Sequence, residues 1–408
     1  MCHCQTQQVL LKKPDGTMPD LKLKNMLFLC TPFYPASAKK FMLFSTRKWM
    51  AFASIALLSF SILAACKKEP GAAAGSANPA DMKQGAETIA AFFDKHQTQK
   101  EHFQINATDG AVLTTRDGTR INLARNAFRL NGSLVSGDIN LWVHDILYAS
   151  NMLLADNPTV SAGGDLLESY GQIILSADQG GQRLQLAPDA ATAGLVAITF
   201  PIGMPQGRGQ LPVWVGDTTS IATTTGYDGD NAPTAVAAAV RLQRGIAWTQ
   251  IPGAVSEAST LGNSFHLAAL DQWFGTGMPY SDTRPKTTVL GYLGAKYNTL
   301  TGDPTSVRGP SLLFFKTRAT NTLVKYHQFI LNPTAGKEGF LSYQGKIPVG
   351  QEGTFLAISA LGDKLYAETR DLALPEPQSG RNFVSISFKL AEVTEPQLLA
   401  LIQQLNKK

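Results

Sequence analysis

Cysteine is scarce in this 408-residue chain, with three of its four copies in the first 30 residues and the fourth at Cys66. From Cys66 onward no intramolecular disulfide can form, so stability there must come from apolar burial, which residues 66–408 are long enough to supply. Charge is also sparse. Of 36 basic and 31 acidic residues, positions 1–65 hold eight and two, leaving 28 and 29 from Cys66 on. That near-neutral balance, with no Lys/Arg cluster interleaved with aromatics, excludes an electrostatic nucleic-acid binder. The motifs of catalysis and cofactor binding are missing too: no Gly-x-Ser-x-Gly, no His-Glu-x-x-His, no Gly-x-x-x-x-Gly-Lys and no Gly-x-Gly-x-x-Gly. His96, His102, His144, His266 and His327 are dispersed without helical pairing. A non-enzymatic chain is expected, with no cofactor and no metal.

Long apolar runs are nearly absent as well. The exception, Trp49 to Ile62, spans 14 residues, short of the roughly 20 that cross a bilayer. It follows Arg47-Lys48 and precedes Leu63-Ala64-Ala65-Cys66, the order of a positive n-region, an apolar h-region and a small-residue cleavage point. This pattern resembles a bacterial lipobox. The resemblance implies that Cys66 becomes the N-terminus and carries acyl chains, two or three of which anchor a protein stably where one holds it marginally. Residues 1–41 lack helical or strand periodicity and read as an over-extended start or a leader, with translation from Met42 or Met50. Residues 42–65 are then the signal. Residues 66–79, rich in Gly, Ala and Pro, read as a flexible tether. Lys67-Lys68-Glu69 is either part of that solvated tether or an export signal similar to that of Bacteroidetes surface lipoproteins.

Strand and turn signals dominate the remainder. Asp117-Gly118 and Asn131-Gly132 sit between apolar runs as hairpin punctuation. Gly137 to Ile146 alternates, with Ile139, Leu141 and Val143 on one face and Asn140, Trp142 and His144 on the other. Gly163-Gly164, Gly171 and Gly180-Gly181 mark further turns. Gly118-Thr119-Arg120-Ile121, Asn126-Ala127-Phe128, Val135-Ser136-Gly137, Asn151-Met152-Leu153-Leu154 and Gly163-Gly164-Asp165-Leu166-Leu167-Glu168 together resemble a module of Bacteroidetes envelope lipoproteins. That module is itself similar to the ZU5 β-domain. The resemblance covers about Phe92 to Pro188, and implies a β-sandwich acting as an interaction or structural domain.

The expected architecture is mainly β, with two antiparallel β-sandwich-like domains, a short N-terminal helix and a C-terminal amphipathic helix. Residues 80–215 comprise the helix and ZU5-like domain, 216–240 a connecting loop, and 241–408 the second β-rich domain. Ile89, Phe92 and Phe93 give the first helix an apolar face expected to dock on the first domain. Thr394-Glu395-Pro396 opens the last helix with a cap and a first-turn proline, and Leu398, Leu399, Ile402 and Leu405 form its stripe. Asp228, Asp230 and Asn231 fall short of a calcium loop, which needs a glycine and a terminal glutamate.

Four aromatics are candidate ligand or partner contacts. Trp142 lies on the polar face of its strand, and Trp273, Phe274 and Tyr280 surround Gly275, Gly277 and Pro279 in what reads as a loop. Such residues either stack on a sugar or anchor a partner, or plug a domain junction. The sequence leads to an outer-membrane lipoprotein, periplasmic or surface-exposed, acting as a non-catalytic interaction or structural module with an envelope protein partner. A glycan-binding accessory lipoprotein of a nutrient-uptake system and a hydrolase with a site assembled from distant residues are the alternatives.

Overall fold

The computed structural model describes residues 78–202, 209–218, 225–228, 235–237, 245–297, 310–326, 328–331 and 335–407. These belong to a compact unit, Lys68–Lys408. The fold is mainly β, built of antiparallel sheets with a helix near the start and another at the end. The signal, the lipobox residues Leu63, Ala64, Ala65 and Cys66, and the tether up to residue 77 lie outside the described residues, as does His327, while Asn78 and Pro79 at the tether's end open the first helix.

Ten strands make the path of the largest sheet: β1 (Glu101–Asn106), β2 (Ala111–Thr114), β3 (Arg120–Leu123), β4 (Asp138–Ile146), β5 (Leu167–Gln179), β6 (Val196–Phe200), β7 (Gln210–Asp217), β8 (Ala247–Ser259), β9 (Gly262–His266) and β10 (Trp273–Pro279). Their spatial order is β1-β4-β5-β10-β7-β8-β9-β6-β3-β2, and a short strand, Gln182–Arg183, pairs with β5 off that path. The two ends of this path, β1 and β2, are consecutive in the chain and joined only by residues 107–110. Such a loop keeps Asn106 and Ala111 within roughly 18 Å, so the sheet must curl until its ends meet. Its inner face accordingly forms one core, to which Ile105, Leu141, Ile173, Phe274, Val213, Phe265, Ile198 and Ile121 contribute.

The hairpin expected at Asp117-Gly118 is present, with β2 and β3 paired across it and Gly118 at positive φ. Gly171, expected as a turn, instead lies inside the long strand β5 with φ +139. A Cβ there would strike the ring of Phe200, a core residue on β6 across the curled sheet. The expected connecting loop, 216–240, falls largely between β7 and β8, two strands that pair antiparallel in the same sheet. Strands from both sides of that segment therefore share one sheet. Asp228 closes a short strand, Thr225–Asp228, while Asp230 and Asn231 lie outside the described residues.

A second sheet holds β11 (Ser311–Thr317), β12 (Leu323–Tyr326), β13 (Glu352–Leu361), β14 (Lys364–Ala373) and β15 (Ala391–Val393), in the order β12-β11-β13-β14-β15. Three helices cover one face of it: α1 (Pro79–His96), α2 (Ala149–Leu154) and α3 (Glu395–Gln404). The opposite face packs on a third sheet through Leu313, Phe315 and Phe355 against Val289, Phe340 and Val384. Helix α3 begins as expected, with a reciprocal capping box between Thr394 and Gln397, and buries Leu398 and Ile402. Helix α1 also forms where expected, capped by Asn78. Its docking site corrects the sequence reading. Ile89, Phe92 and Phe93 join Leu356 and Ile358 of β13 and Leu398 of α3, rather than the core of the first sheet. Thr88 Oγ1 donates to the Gly362 carbonyl at 2.8 Å, just past β13.

Candidate functional site

Strand alternation and sheet register together place the candidate aromatics. Trp142 stands on the outer face of β4, 38% exposed. Its register partner on β5 is Ser176, and two residues along, His144 lies opposite Ile174, which in turn faces Trp273 on β10. Trp142 and Trp273 thus share one face of the sheet. Trp273 is half-buried against His144, ring centroids 5.3 Å apart, and packs at the junction of two apolar clusters. Phe274 points the other way into the core at 2% exposure. Tyr280 follows β10, and its hydroxyl donates to Gln351 Oε1 at 2.7 Å, where Arg284 Nη2 also donates. Burial raises the Tyr280 pKa. That residue ties a connection to buried Gln351, whereas Trp142 faces solvent.

Around Trp142 the register assembles partners that local spacing could not reveal. His102 on β1 is directly opposite and stacks on the indole, centroids 4.3 Å apart and planes 29° apart. His102 Nε2 lies 3.1 Å from Asn140 Oδ1. Asn140 Nδ2 donates to Asp178 Oδ1 at 3.2 Å, and Trp142 Nε1 donates to Asp178 Oδ2 at 3.3 Å. The circuit closes back on the indole, so an exposed tryptophan is fixed at both its face and its N–H. The Asn140 amide first, then the Trp142 and Gly181 N–H groups, hold the Asp178 carboxyl below the usual carboxylate range. It is therefore an ionised acceptor at neutral pH. His102 and Asp178 each lie 38 residues from Asn140 in the chain, and only strand pairing brings the three together.

Other polar clusters serve the sheet itself. Where its ends meet, Thr115 Oγ1 donates to Asp145 Oδ2 at 2.7 Å and the Arg116 N–H donates to Glu101 Oε1 at 2.9 Å. Burial, followed by the charges of Asp145 and Glu101, raises the Asp117 pKa. The carboxyl groups of Asp145 and Glu101 clasp the β2–β3 turn to β4 and β1. They line neither a small cavity beside Trp214 nor the grooves next to Thr88 and Lys316. The cavity, about 10 Å³ between Trp214, Trp248 and Gln172, has room for one water. Among the described residues, no three His, Cys, Asp or Glu side chains converge as a metal-binding group. Nor, among them, is any helix long and apolar enough to cross a membrane. Comparison of the chain with models of known protein families, with curated proteins and with solved structures gave no match.

Proposed function

We propose that this chain is a lipid-anchored, non-catalytic binding module of the bacterial outer membrane, tethered through Cys66. The ZU5-like resemblance and the signal before Cys66 support the setting. One observation carries the binding role: the solvent-facing Trp142, stacked on His102 and locked to Asp178. A tryptophan left exposed yet held in one orientation loses little freedom when a partner arrives, which favours binding. The carboxyl groups of Glu101 and Asp145 act as acceptors in closing the sheet, which favours the binding reading over the hydrolase.

Metabolic labelling with palmitate tests the anchor. Wild-type protein takes up label, Cys66→Ala does not, and protease added outside the cells degrades the wild type. Label that survives the substitution sinks the anchor. Lipidated protein that resists external protease places the module in the periplasm, and its partner there.

A further inference from the structure

From the outer face of β1, β4 and β5 we infer that the module binds a neutral hexopyranosyl unit of a polysaccharide, seated on Trp142. This rests on the reading of the chain as a binding module. Register sets two cross-strand rows on that face. One row holds His102, Trp142 and Ser176, and the next holds Gln104, Asn140, Asp178 and Arg183. Neighbouring strands lie about 4.8 Å apart and successive same-face residues about 6.7 Å apart, a spacing comparable with a sugar ring and its hydroxyls. The C–H bonds of a pyranose face carry slight positive charge and rest on the negative indole face turned away from His102. Hydroxyls at the rim of that sugar then meet amides, a carboxylate and a guanidinium in the adjacent row.

The composition of that polar row selects the ligand class. Arg183 is paired with Asp271 at 3.6 Å, Asp178 already accepts from Asn140, Trp142 and Gly181, and both amides are uncharged, so each charge of the row has its partner and neither invites an anionic or cationic ligand. Asn140 and Asp178 line the indole with hydrogen-bonding groups, the kind that meet the hydroxyls of a sugar. The closed hydrogen-bond circuit also means that the site exists before the ligand comes, so little ordering accompanies binding.

Affinity electrophoresis of the folded chain tests the assignment, in gels cast with three uncharged polysaccharides: a β-glucan, a galactomannan and a xylan. At least one retards the wild type. Trp142→Ala weakens that retardation at least tenfold, and so does Ser176→Leu, an uncharged side chain that crowds the indole without offering Asp178 a new donor. Urea unfolding of both variants confirms that they remain folded. Retardation that survives both substitutions keeps a glycan-binding module but overturns this face as its site. No retardation in any of the gels overturns the assignment, and a Trp142-dependent protein complex would then reassign the face. Palmitate labelling is independent of every one of these outcomes, so the anchor and the sugar site stand or fall separately.

Discussion

His144 shows how one residue couples the sheet to pH. It lies on the face that also carries Trp142, but Trp273 covers it, and Thr98 Oγ1 approaches Nε2 at 2.6 Å. Burial, aided by the charge of Lys100, lowers its pKa from 6.5 to about 4. Between those values the unfolded chain takes up a proton that the folded chain refuses. The stabilising contribution is therefore full above pH 6.5 and is lost as pH falls toward 4, amounting to about 3 kcal/mol. Urea unfolding of wild type and His144→Gln at pH 7.5 and pH 4 checks this. The wild type should lose about 3 kcal/mol more than the variant over that interval. Parallel losses would mean that other groups set the acid limb.

At the scale of elements, Gly85 decides how α1 docks. Alanine in a helix interior is better than glycine by about 1 kcal/mol, yet a Cβ at position 85 would overlap the Ala360 carbonyl of β13. Gly85→Ala is expected to destabilise by about 1–3 kcal/mol, as overpacking does. A raised melting temperature would show that the helix sits elsewhere. Elements with local signals were legible in advance: α1 from its apolar spacing, β4 from its alternation, the hairpin from Asp117-Gly118 and α3 from its cap. β10 was not, because Gly275, Gly277 and Pro279 read as a loop. Those glycines instead let the sheet pass close to its neighbours, with Trp248 3.3 Å from where a Cβ of Gly275 would lie. Trp142 was legible as a candidate because a tryptophan breaks the polar side of an alternating strand. Its partners were not, since His102 and Asp178 become neighbours only through pairings that no short window contains. For the same reason the docking face of α1 could not be read from α1.

Across the whole molecule, buried polar links join the first sheet's connections to the second sheet. Lys325 on β12 donates to both oxygens of Asp156, just beyond α2, at 2.7 and 2.9 Å, and each side chain is 5% exposed. Nearby, Asn321 Nδ2 donates to the Leu147 carbonyl at 2.8 Å, and the Leu323 N–H donates to Thr159 Oγ1 at 2.8 Å. Lys325→Met removes the cation from a buried carboxylate and should cost about 3–5 kcal/mol in urea unfolding. Adding Asp156→Asn should recover part of that loss by removing the stranded charge. A cost under 1 kcal/mol for Lys325→Met would show that water reaches the pair.

The contact between Thr88 and Gly362, 274 residues apart, bears on how the chain is made. Synthesis delivers α1 early and β13 late, so the apolar face of Ile89, Phe92 and Phe93 emerges long before the surface that covers it exists. Contacts so distant in sequence slow folding. Until those last strands appear, a nascent chain of this kind carries that apolar face uncovered and in need of a chaperone.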